Sequence, residues 1–177
     1  MLILFLINTP TALNKLRKEI DDGIAKGTIS SPIRDAEARQ MPYLQAAIKE
    51  GLRFYPPQTA LNSKEVPQGG AKIHGFHLPG GTQVAVNIQG ITRSKTLFGP
   101  DADVFRPERW IEAEAVDPDR YKEMAAAVEL IFGFGKYQCL GKVIAAVEMN
   151  KVPVEVSFPL LIFGLQSTHD GQCRSDA

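Results

Sequence analysis

The ten residues Phe132-Gly-Phe-Gly-Lys-Tyr-Gln-Cys-Leu-Gly141 constrain this chain more than any other stretch. Gly133 and Gly135 precede Cys139 and Gly141 follows it, so the backbone can turn tightly and approach something flat without Cβ obstruction. Beyond it, Leu140, Val143, Ile144 and Val147 recur at helical spacing. This predicts a helix that begins after Gln138 and stops by Pro153, whose ring removes an N–H from the ladder. Cys139 then heads a helix, where free amides favour an anion and lower a thiol pKa from about 8.5. A thiolate prepared in this way is a ligand for a metal. An isolated cysteine is more often a small buried hydrophobe, and the glycine spacing is what argues against that here.

Bulk properties narrow the partners. The chain of 177 residues is 44% hydrophobic and 23% charged, which suits one soluble globular unit. Its 20 basic and 20 acidic residues cancel, so no net field gathers nucleic acid, and a small neutral ligand fits better. Cys139 and Cys173 cannot build a disulfide framework, which points to a reducing compartment, and with the scattered His74, His77 and His169 they lack zinc-site spacing. Met1 to Ile7 is apolar but far shorter than the roughly 20 residues of a bilayer crossing. It lacks a basic leader and a cleavage site, and reads as a buried helix end.

Thr9-Pro10 opens an amphipathic helix with Leu13, Leu16, Ile20 and Ile24 on one face and Gly27 as its stop. A second helix runs from about Pro42 to Phe54, with Leu44, Ala47, Ile48 and Leu52 inward, and Pro56-Pro57 ends it. After the turn at Pro79-Gly80-Gly81, the alternation of Val84, Val86 and Ile88 predicts a small β-hairpin. From Gly99 to Pro118 no period holds, which predicts a meandering loop packed by Phe98, Phe105 and Trp110. The stretch from Ser167 to Ala177 is polar and without period.

Glu50 and Arg53 stand at i and i+3 on the second helix, so carboxylate and guanidinium share a face; such pairs are usually solvated surface bridges. Together with the pattern Phe-x-x-Gly-x-x-x-Cys-x-Gly, however, this Glu-x-x-Arg resembles the cytochrome P-450 family. There the cysteine is the axial haem ligand, and the Glu-x-x-Arg pairs with an arginine from a downstream loop. Phe105-Arg-Pro-Glu-Arg-Trp110 resembles that loop, and Arg109 is the matching residue. The similarity is nearest to fungal members such as the pisatin demethylase-like enzymes.

The resemblance implies a mainly α fold with a small β-sheet: the C-terminal part of the family's fold, truncated at the N-terminus. Residues 1–152 would form that portion, and 153–177 a divergent, poorly ordered tail. It implies haem b held through the Cys139 thiolate, with Phe132, Gly135, Tyr137 and Gly141 around the cofactor. Glu50, Arg53 and Arg109 would form a structural network rather than a catalytic one. It further implies a monooxygenase that places one oxygen atom of O2 into a small lipophilic substrate, with electrons from NADPH through a flavin reductase. Gln58 to Asn62 would touch substrate or simply pack. Tyr137 departs from the family's arginine or histidine, and a phenol cannot neutralise a propionate, so Lys136 or Arg93 is expected to share that work. Membrane residence, typically at the endoplasmic reticulum, would rest on an anchor upstream of Met1. The apolar Leu2, Leu4 and Leu6 would face outward toward the rest of such a protein. Two other classes compete: a non-catalytic haem-binding remnant, and a structural domain whose Cys139 binds nothing.

Overall fold

A computed structural model of the chain describes residues 1–59 and 63–166, with side chains to residue 156. Cys173, His169, the polar tail and the 60–62 part of the expected substrate segment lie outside the described residues.

Two helices open the fold, α1 (Leu2–Ile7) and α2 (Pro10–Ala25). Pro10 stands at the first helical position, where its missing N–H has no intrahelical partner to lose. Gly27, at φ +69°, lets the chain leave α2. Leu16 and Ile20 are buried while Ile24, one turn further, is exposed. Leu4 faces outward as expected, but Leu6 is buried and Leu2 packs against the same core, because α1 folds back onto α2 and the next long helix.

A single turn, α3 (Asp35–Ala38), precedes α4 (Pro42–Phe54), the centre of the molecule. Leu44, Ala47 and Ile48 of α4 join Leu16, Ile20 and Ile33 in one apolar cluster. Ala46, on the other side, joins a second cluster with Phe98, Trp110 and Met124. With both sides buried, α4 has few positions that water reaches, so polar residues on it must find partners inside.

The β structure is smaller than the alternation suggests. Strand β1 (Lys64–Glu65) pairs antiparallel with β4 (Gln83–Val84), and β2 (Ala71–Ile73) with β3 (Phe76–Leu78). The expected strand does not reach Ile88. That residue begins α5 (Ile88–Thr92), because Asn87 caps it by accepting the Gly90 N–H at 2.8 Å. A short α6 (Lys95–Phe98) follows.

Two helices occupy sequence that reads as loop or carries no clear period: α7 (Glu108–Val116) and α8 (Pro118–Glu129). Pro107 and Pro118, which look like breakers, stand at their starts. Asp117 ends α7 and caps α8 by accepting the Arg120 N–H at 3.1 Å.

The last helix among the described residues, α9 (Lys142–Gln166), corrects two expectations. It starts three residues after Cys139 and continues through Pro153 and Pro159. Tertiary contacts outweigh the lost ladder bond: Val154 is buried in the first cluster and the Glu155 carboxylate accepts the Ile33 N–H at 2.7 Å. The expected apolar face is also turned around. Leu140, Val143 and Ile144 are exposed, while Met149, Asn150 and Val154 face the protein. Among the described residues, no helix is long and apolar enough to cross a membrane.

Candidate functional site

Glu50 and Arg53 are both 0% exposed in the C-terminal part of α4. Arg53 Nε and Nη2 donate to the two oxygens of Glu50, each at 2.8 Å, the parallel fork that guanidinium and carboxylate form best. Its remaining N–H groups reach the carbonyls of Thr92, Ala102 and Val104. From α7, Arg109 Nε donates to Glu50 Oε1 at 3.0 Å, and its other nitrogens reach Phe98 O, Val104 O and both the carbonyl and the carboxylate of Asp101. The Arg106 N–H at 2.8 Å and the Trp110 indole N–H at 3.0 Å complete the surroundings of Glu50.

The fold therefore brings Glu50, Arg53 and Arg109 into one buried cluster that ties α4 to α7 and to the segment between α6 and α7. Three partners were not legible in the sequence. Trp110 reads as loop packing, Asp101 as a loop carboxylate, and the Arg106 N–H carries no side-chain signal. Burial pushes the Asp101 carboxyl up, but the bonds from Arg109 and Arg106 outweigh it and hold it below the usual carboxylate range. With its acceptors and donors committed to one another, the cluster is suited to holding geometry rather than moving protons.

The cysteine loop hangs between α8 and α9. Two short 3₁₀ turns, Leu130–Phe132 and Gly135–Tyr137, fold it back until the Cys139 N–H meets the Phe132 carbonyl at 2.7 Å. Gly133 has φ +75°, and a Cβ there would lie 2.6 Å from the Tyr137 carbonyl, so this turn admits only glycine. Gly135 has φ +59° with open space beside it. Gly141 is less constrained, since a Cβ there would make an ordinary 3.8 Å contact with Cys139 Sγ.

Cys139 is a free, exposed thiol. Around it Phe134 is 85% exposed and Leu140 101%, so the loop presents apolar surface and a soft donor together. A cavity of about 480 Å³ opens beside the loop, with Val66, Val84, Val86, Ile131, Gly133 and Tyr137 among its lining. Phe132 turns away into a second, apolar groove of about 530 Å³ shared with Leu2, Leu52 and Met149. Among the described residues, no group of three or more His, Cys, Asp or Glu side chains is arranged around an ion. The glycine turn, the outward apolar side chains and the single thiol are compatible with a flat apolar macrocycle whose metal takes the thiolate as one donor.

Of the two cations considered beside Tyr137, Lys136 lies 5.0 Å from its ring centroid. Arg93 is committed elsewhere: it donates to the Phe54 carbonyl at 2.6 Å, lies over the Phe54 ring and faces Asp103. Lys64, from β1, sits 3.9 Å from the Tyr137 centroid, a contact that sequence spacing does not reveal. Gln58 lines the 480 Å³ cavity together with Lys64 and Glu65.

The family model described as Cytochrome P450 matches residues 1–156. Among curated relatives, the chain is 45% identical over 155 residues to Cytochrome P450 monooxygenase ABA1 of Pyricularia oryzae, covering 87% of this chain and 30% of that protein. It is 42% identical over 164 residues to Cytochrome P450 monooxygenase aba1 of Botryotinia fuckeliana, covering 93% and 31%. It is 39% identical over 166 residues to Cytochrome P450 monooxygenase ACRTS1 of Alternaria alternata, covering 94% and 42%. The chain thus spans well under half the length of these fungal relatives.

Proposed function

Because the chain belongs to the cytochrome P450 family, we propose that Cys139 holds the iron of haem b as a thiolate and that the chain supplies the cysteine-loop portion of a haem-thiolate monooxygenase. One observation carries this reading. An exposed cysteine closes a loop whose Gly133 and Gly135 adopt positive φ and whose Phe134 and Leu140 turn apolar side chains outward. When bound through the Cys139 thiolate, haem would supply the reductive activation of dioxygen, with electrons from NADPH through a flavin reductase.

The chain's own residues have distinct tasks. Cys139 is the soft donor, and Gly133, with Gly135 and Gly141, keeps the backbone free of side chains beside it. Phe132 and the valines of the 480 Å³ cavity offer apolar surface on either side of the loop. The ammonium groups of Lys64 and Lys136, gathered at Tyr137, supply the positive charge suited to the carboxylates of the prosthetic group. Glu50, Arg53 and Arg109 hold α4 and α7 in register behind the loop. The apolar cavity, with Gln58 at its lining, favours a small lipophilic substrate.

The test is expression with a supply of haem, followed by the absorption spectrum of the reduced, carbonyl-bound state. The parent chain should show the red-shifted Soret band of thiolate ligation, Cys139→Ser should lose it, and Cys173→Ser should keep it. An unchanged spectrum in Cys139→Ser overturns the axial assignment. Haem without the shifted band indicates adventitious binding, and no haem at all favours a purely structural domain.

A further inference from the structure

Most side chains of the cysteine loop are not buried. Phe134, Tyr137 and Leu140 are exposed, and the loop's backbone hydrogen bonds are short-range, from Gly133 to Leu130, Gln138 to Gly135 and Cys139 to Phe132. Ile131, packed on the second cluster, and Phe132, in the groove with Leu2, Leu52 and Met149, anchor the base of the loop, but core packing does little to fix its tip. Lysines add further contacts. At the base, Lys142 pairs with Glu129 at the end of α8 and lies 5.6 Å from the Phe132 ring centroid. At the tip, Lys64 of β1 lies 3.9 Å from the centroid of Tyr137.

The contact at the tip has a specific chemistry. An ammonium is drawn to the negative face of an aromatic ring, so the partner at position 137 must be a ring. Lys64 is itself fixed in register, opposite Val84 in the antiparallel pair of β1 and β4, and both line the 480 Å³ cavity. Tyr137 is two residues from Cys139, within the turn whose carbonyl closes against Gly133.

We infer that Lys64 is a positioning residue for Cys139: through its cation–π contact with Tyr137 it pins the cysteine loop to the β1/β4 ribbon. The ring, not the phenol hydroxyl, makes the pin. This rests on the reading of Cys139 as the haem thiolate only where it concerns ligation; the pin itself is a property of the protein alone.

The experiment is amide hydrogen exchange on the 177-residue chain without haem, following peptides that cover Gly133, Gln138 and Cys139. A second readout takes the reduced carbonyl spectrum of the same variants with haem supplied. Lys64→Gln and Tyr137→Leu should speed exchange in the loop by about two- to fivefold, the range of an exposed cation–π contact. Tyr137→Phe and Lys64→Arg should leave it at the parent rate, and α4 peptides should be unchanged in all four, which shows that the fold is intact. The fraction of bound haem with the red-shifted band should fall in Lys64→Gln and Tyr137→Leu and be retained in Tyr137→Phe. If Lys64→Gln leaves loop exchange unaltered, or Tyr137→Phe behaves like Tyr137→Leu, the pin is refuted. If exchange rises but the spectrum does not change, Lys64 steadies the loop without positioning the ligand, and the inference fails there. Loss of the shifted band on Cys139→Ser is independent of all these arms, so failure of the haem reading is distinguishable from failure of the pin.

Discussion

The indole N–H of Trp110 donates to Glu50 Oε2 at 3.0 Å, so a tryptophan from α7 completes a carboxylate site that Arg53 and Arg109 already occupy. The ring also packs against Phe98 and Tyr121, which makes Trp110 both a polar partner and a core residue.

Replacing Glu50 by Ala leaves two buried guanidinium groups without their carboxylate. Breaking one partner of a buried ion pair costs about 3–5 kcal/mol. That is a large share of the roughly 5–15 kcal/mol that holds a typical domain. Urea denaturation of Glu50→Ala should show the loss, and a change below about 1 kcal/mol would place the cluster among ordinary surface bridges.

Trp110→Phe keeps an aromatic ring but removes the donor. The expected destabilisation is about 1–3 kcal/mol, the penalty for an unmet buried acceptor. In a double-mutant cycle with Glu50→Ala the two losses should be less than additive, because the second change removes a bond already gone. Strict additivity would show that the indole acts by packing alone.

Glu19, on α2, accepts the N–H groups of Tyr43 and Leu44 at the start of α4. Burial raises its pKa above the ordinary 4.5, and the two backbone bonds only partly oppose this. The fold therefore favours the protonated form. Its contribution to stability is fully present below pH 4.5 and is lost as pH rises through the raised value. Asp101 has the opposite sign: its lowered pKa contributes stability above 3.8 that is lost as pH falls through the folded value. Denaturation midpoints across pH should show the parent minus Glu19→Gln difference shrinking with rising pH, and the parent minus Asp101→Asn difference shrinking with falling pH. The same slope for both would contradict these assignments.

The apolar surface around Cys139 is open, with Phe134, Leu140, Val143 and Ile144 all exposed. Coupled oxygen insertion requires that water be kept from the reacting centre and the substrate be held close to it. Even with haem bound, the 177-residue chain alone is expected to form no Cys139-dependent product with NADPH, a fungal reductase and a panel of lipophilic aromatics. A longer relative serves as positive control. Coupled, Cys139-dependent turnover by this chain would refute the expectation.

The helices with clean periodicity, α2 and α4, were legible within a residue or two, as were the apolar stripe of α4 and the pairing of Glu50 with Arg53. What escaped the sequence has identifiable causes. Pro107 and Pro118 look like breakers but occupy helix starts, and Pro153 stands inside α9 because Val154 and Glu155 are held by residues more than a hundred positions earlier. The apolar residues after Cys139 do follow a helical period, yet they face outward, since periodicity says which residues share a face but not which face is covered. Lys64 and Trp110 entered the site through tertiary contacts at separations that no local pattern encodes.

The bonds that dock α9 against α3 and α4 have a consequence for the order of events during synthesis. Asn150 reaches Asp35 across 115 residues and Gln45 across 105, and Glu155 reaches Ile33 across 122. No part of this contact set can form until almost the whole described chain has left the ribosome. Until then the cluster built by α2 to α4, with Ile33, Met41 and Ile48, lacks its Val154 member. Long-range closure of this kind slows folding and lengthens the time for which apolar surface is open to other chains. The nascent protein is thus vulnerable to aggregation just before α9 arrives, and a chaperone that shields α2 to α4 during that interval would have its largest effect on yield.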